Sequence, residues 1–124
     1  MQLNHERPDY DFVLRAADAR SARVNEQLLE RSFVIAPDQL LADWDAPSSA
    51  KGLEPAHLGR VLELKPELVI LGTGEQQVFP PPAAMAACLA RGVGIEAMDN
   101  AAAARTYNVL AGEGRRVVVA MLLG

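Results

Sequence analysis

Four polar residues stand just past two apolar runs: Thr73 and Glu75 behind one, Asp99 and Asn100 behind the other. A hydroxyl, two carboxylates and an amide at one edge could hold a small polar ligand or move a proton. Open α/β sheets favour ligands at the carboxyl ends of their strands. Gly72-Thr73-Gly74 adds a phosphate-binding reading, since glycines after a buried strand let backbone N–H groups approach an anion. Three details oppose it. The third glycine of a dinucleotide fingerprint falls on Gln77, no Gly-Lys-Ser/Thr follows, and the next helix begins only after Pro82. A tight turn needing positive φ explains the glycines more simply. Asp99 has its own simpler role, as the N-cap of the following helix.

The remaining chemical side chains are scattered. Cys88 shares a helical face with Met85 and Leu89, which points to burial rather than nucleophilic duty. His57 lies beside Leu58 without a catalytic partner, and His5 falls in a polar arm. Two histidines and one cysteine far apart form no metal-ligand pattern. Glu96 interrupts an apolar strand, so it faces an edge or pairs with Arg105 or Arg116. Thr106 and Asn108 interrupt an apolar helix and should bond to backbone or an adjoining loop. Trp44 lies in a loop, either anchoring it or serving as an interaction residue.

The elements that must position these residues follow from hydrophobic patterning. Leu68 to Leu71 is an unbroken apolar run with β-branched residues at its centre, so both faces of that strand are covered. Val93 to Ala97 and Val117 to Leu122 read as two more strands, with helices over 83–91 and 101–111 between. Strands joined through helices are parallel. A further helix starts at Leu53-Glu54-Pro55, with proline at its first position and Leu53 and Leu58 as a hydrophobic staple, and stops at Pro66. Upstream, Phe12 to Ala36 reads as an antiparallel meander. Phe12-Val13-Leu14 opens it, Asn25-Glu26 is a turn, and Ser32 to Ala36 is its last strand. Gln39 to Trp44 is a short extra strand and Asp45 to Gly52 a flexible loop.

The expectation is an α/β fold: one domain over 1–124, an antiparallel N-terminal meander, then a parallel β-α-β-α-β half with flanking helices. Residues 1–9 form a loose arm. The chain has 124 residues, enough to bury about two-thirds of its unfolded surface. Its formal charge is −4, which disfavours nucleic acid as a partner. One cysteine rules out an intrachain disulfide and suits a reducing compartment. No signal peptide or membrane span is visible, so a cytoplasmic location is expected.

Gly92 to Leu110, GVGIEAMDNAAAARTYNVL, following PELVILGTG, resembles the Mth-domain family of small proteins. The matching features are the Leu-Gly-Thr-Gly turn, the Gly-Ile-Glu-x-Met-Asp strand end and the helix closing with Thr106-Tyr107-Asn108-Val109-Leu110. Asn100 and Ala104 depart from the family's commoner residues. The resemblance implies a compact mixed α/β fold and supplies no catalytic residues. The family includes a mitochondrial complex I assembly factor and the adipogenesis-associated Mth-domain protein, which implies a protein partner in complex assembly. The reading is therefore an interaction or assembly-accessory module rather than an enzyme, with no cofactor. The alternative is a small-molecule-binding protein or enzyme whose site is Thr73, Glu75, Asp99 and Asn100.

Overall fold

The computed structural model describes residues 9–124. Of the N-terminal arm, residues 1–8 with His5 lie outside the described part. The chain opens with an antiparallel meander, β1 (Leu14–Ala17), β2 (Ala22–Val24) and β3 (Gln27–Leu29), as patterning predicts. Asn25 turns β2 into β3 with φ 52°, a left-handed conformation that asparagine tolerates.

The structure departs from the expectation at both ends of the meander, and the strand expected over Gln39 to Trp44 stops at Leu41. Phe12 and Val13 precede the first strand rather than opening it. The strand β4 (Phe33–Ala36), read as the last of the meander, belongs to a different sheet. Its reason is burial. β1 to β3 each keep at least one exposed residue, whereas all four residues of β4 are buried. A strand apolar on both sides needs cover above and below, and the meander offers one covered face.

The second sheet is mixed. β4 pairs antiparallel with β5 (Gln39–Leu41) on one side and with β8 (Val117–Met121) on the other. β8 and β7 (Gly94–Met98) flank β6 (Leu68–Gly72), both parallel to it, giving the order β5-β4-β8-β6-β7. The three apolar runs are thus neighbouring parallel strands, as the sequence predicts. Alternation along β6 divides the core. Val69 and Leu71 face a cluster with Leu58, Val61 and Cys88, whereas Ile70 faces Phe33, Tyr107 and Met121.

The first cluster is covered by α1 (Gly59–Glu63) and α2 (Pro82–Leu89), the second by α3 (Asn100–Gly112) and the meander. A 3-10 turn, Ala50–Gly52, closes the expected loop, and the expected helix from Leu53 begins as a second 3-10 turn, Pro55–Leu58, before α1. Glu54 caps the second turn, Pro55 follows it, and the Glu54 N–H donates to His57 Nδ1 at 2.8 Å. His57 is thereby a capping residue. Leu53 and Leu58 are both buried, as a staple requires. Trp44 is buried and its Nε1 donates to the His57 carbonyl at 2.9 Å, so it anchors its loop. On α2 the expected face is rotated. Ala84 and Cys88 are buried, Met85 is half-buried and Leu89 is 63% exposed. Residues 84 and 88 lie one turn apart on a single face, and small side chains there let the helix sit close to the sheet.

Candidate functional site

β6 and β7 are adjacent, so their carboxyl-end loops emerge side by side. The Thr73 N–H donates to the Met98 carbonyl at 2.9 Å, joining the two strand ends. Beyond that point Gly74 and Asn100 clasp each other. The Asn100 N–H donates to the Gly74 carbonyl at 2.8 Å, and the Gly74 N–H donates to Asn100 Oδ1 at 2.9 Å. Gly74 has φ 105°, which favours glycine.

Asn100 is the one buried side-chain amide among the described residues, fully enclosed. Its Nδ2 donates to the carbonyls of Asp18 and Leu122, each at 2.9 Å. One amide therefore ties the meander, the end of β8, the β6 loop and the start of α3 together. Gly72 makes room for it: a Cβ there would stand 2.6 Å from Asn100 Oδ1.

Asp99 is the N-cap of α3, its Oδ1 accepting from the Ala102 N–H at 2.8 Å. The Thr73 hydroxyl donates to the Gln76 carbonyl at 2.6 Å and accepts from the Val78 N–H at 3.1 Å, closing the loop after β6. Glu75 is exposed and makes no hydrogen bond among the described residues. The predicted set is thus gathered in one place, but three of its four members spend their polar groups inside the chain.

Other polar side chains also turn inward. Asn108 accepts from the Leu14 N–H at 3.1 Å and donates to the Leu14 carbonyl at 2.7 Å, acting as a one-residue strand neighbour for β1. This is the backbone contact expected of it. The Tyr107 hydroxyl donates to the Phe12 carbonyl at 2.6 Å. Burial, then the neighbouring Tyr10, raises the Tyr107 pKa above its ordinary value. Burial likewise raises the Cys88 thiol. Glu96 is exposed on the edge strand β7. Arg116 pairs with Asp38 at 2.9 Å, and no ion pair joins Glu96 to Arg105 or Arg116. The described residues hold no group of three or more His, Cys, Asp or Glu arranged for a metal ion.

Sequence reasoning missed Gln77, whose Nε2 donates to the Ala97 carbonyl at 2.7 Å on the open edge of β7. It also missed Phe79, which is 69% exposed. No local signal marks either one, because both roles depend on which strand ends the sheet.

A family model described as a protein of unknown function (DUF498/DUF598) matches residues 14–122. The chain belongs to that family. A solution structure of a Xanthomonas campestris protein is 58% identical, with a TM-score of 0.83, covering 100% of this chain and 93% of that one. A Bordetella pertussis protein described as a Mth938-like domain is 30% identical, with a TM-score of 0.82, covering 98% and 92%. The Mth-domain resemblance and the mixed α/β fold are therefore shown. A Francisella tularensis relative named "13 kDa major membrane protein" is 30% identical over 85 residues, 68% of this chain and 69% of its own. No helix among the described residues of this chain is long and apolar enough to cross a membrane.

Proposed function

We propose that this DUF498/DUF598 protein is a non-catalytic interaction or assembly-accessory module, acting in the cytoplasm. The observation that carries the proposal is the closure of the strand-end edge. Asp99 and Thr73 hold their own loops and Asn100 is saturated, which leaves Glu75 as the free polar side chain of the predicted set. A catalytic site needs groups directed at a substrate, not at each other. Support comes also from the opposite kind of surface. Phe79 rims a depression of about 230 Å³ along the β7 edge, with Pro80, Met85 and Ile95. An exposed aromatic beside an apolar hollow suits a protein partner. The Francisella relative's name attaches that protein to a membrane; a module docked on membrane components would accommodate it.

The competing reading is a ligand-binding or active site at Thr73, Glu75, Asp99 and Asn100. The unpartnered carboxylate of Glu75 is the observation in its favour. One experiment separates the two. Thermal midpoints of wild type, Asp99→Ala and Thr73→Val are measured against a panel of nucleotides, phosphates and small carboxylic acids, alongside partner recovery with Phe79→Asp. The interaction reading expects lower midpoints in both loop variants, no compound-induced shift, and partner loss with Phe79→Asp at unchanged stability. A compound that raises the wild-type midpoint but not that of Asp99→Ala, with stability otherwise equal, defeats it.

A further inference from the structure

Two depressions adjoin at β1, sharing no lining residue with the Phe79 hollow. The first, about 270 Å³, lies between β1 and α3, with Arg15, Ala101, Ala104 and Arg105 in its lining. The second, about 230 Å³, crosses the outer side of the meander beside Arg23 and Leu28. Ala16 and Ala17 line both, so the two depressions share β1 as a common wall and lie side by side as a double trough.

Its charge is one-sided. Arg15, Arg23 and Arg105 are exposed along it. The ion pairs among the described residues engage Arg60, Arg115 and Arg116 instead, which leaves these three guanidiniums without one. The acid in the trough is Asp18, and its Oδ1 already accepts from the N–H groups of Arg20 and Ser21, both at 2.8 Å. Set against that one carboxylate, three arginines on a chain of net charge −4 are still a local reversal of sign.

The geometry is set by the fold. The β1–β2 register slips between Leu14 and Ala16, making Arg15 the extra residue of a bulge. Bulges re-aim a side chain relative to regular pairing, and this one lines the same depression as Arg105. On α3, Ala101, Ala104, Arg105 and Asn108 follow helical spacing and share a face. Asn108 grips Leu14 through both backbone groups, which fixes the distance between helix and strand.

We propose that this trough docks an extended acidic segment of a partner protein, with its carboxylates on Arg15, Arg23 and Arg105 and small side chains over the alanine floor. Guanidinium forks match carboxylates in geometry and charge. The arginines are spread over two depressions, which suits a chain of charges better than one small anion. A lipid surface fits less well, because the floor is concave and Leu28, 51% exposed, is the protruding apolar side chain of this lining. The trough is separate from the Phe79 edge and its test uses no Phe79 variant, so either reading can fail alone.

The test is fluorescence anisotropy with a fluorescein-labelled peptide alternating Glu and Ala, at low and at physiological salt. Saturable binding to wild type is expected, weaker with salt. Arg15→Glu and Arg105→Glu should each weaken it about tenfold or more. Arg91→Glu, an equal charge change at an exposed arginine elsewhere, should weaken it less than about twofold. Ala101→Leu fills the floor without altering charge and should also reduce affinity. Circular dichroism melts of each variant check that the fold is retained. Three results overturn the proposal: no saturable peptide binding, an equal effect of Arg91→Glu, or binding to phosphatidylserine vesicles without binding to the peptide.

Discussion

Removing the Asn100 amide should be among the most damaging single changes in this protein. Its side chain is fully buried and makes three hydrogen bonds of 2.9 Å, to Asp18, Leu122 and Gly74. Each contributes roughly 1 kcal/mol net, and stranding a buried backbone partner costs about 1–3 kcal/mol more. Asn100→Ala should therefore lose about 3–5 kcal/mol, a large part of the roughly 5–15 kcal/mol that holds a domain folded. Gly72→Ala attacks the same joint sterically. The new Cβ would meet Asn100 Oδ1 at 2.6 Å and Met121 Cγ and Cε at 3.3 Å. Overpacking of this kind costs about 1–3 kcal/mol. The two changes must couple, since deleting the amide deletes the 2.6 Å contact. Urea unfolding followed by circular dichroism, on wild type, both single variants and the double variant, gives the cycle. The double variant should be more stable than the sum of the singles by about 1–2 kcal/mol. A loss below about 1 kcal/mol for Asn100→Ala, or additivity within about 0.5 kcal/mol, would refute the clasp.

Asp99→Ala should cost about 1 kcal/mol, the usual loss for an N-cap, and a denaturation midpoint identical to wild type would contradict its capping role. Cys88 should react with a thiol reagent far more slowly in native than in denatured protein, because it is buried and its thiolate is disfavoured; equal rates would mean α2 opens readily. Tyr107 keeps its proton longer when folded than when unfolded, since burial raises its pKa. Its contribution is then fully present below the unfolded value of about 10 and is lost as pH rises above it. Tyr107→Phe should lower the neutral-pH stability by roughly 1 kcal/mol, through the bond to Phe12, and soften the alkaline decline; an unchanged alkaline profile would assign that decline to other groups.

Patterning in the sequence determines much of this protein. Leu68–Leu71 is apolar without a break, and such a run is satisfied only between two covering layers. Helical segments on either side of Val93–Ala97 then make the three strands parallel. Asp99 before an alanine-rich run marks a helix start, and Gly74, Gly92 and Gly114 stand at positions of positive φ. These features are legible because each depends on residues a few positions apart. Tertiary structure decides what depends on distant neighbours. Phe33–Ala36 leaves the meander for β8, more than eighty positions away, because that is where both its faces can be covered. That α2 buries Ala84 and Cys88 rather than Leu89 is settled by its packing into the first core cluster. The polar residues divide in the same way. That Thr73, Asp99 and Asn100 share an edge follows from two strand ends. That Asn100 is consumed there follows from the arrival of the Asp18 and Leu122 carbonyls, 82 and 22 positions away. A local pattern can specify a donor, but where its acceptors lie is fixed only once the layers pack.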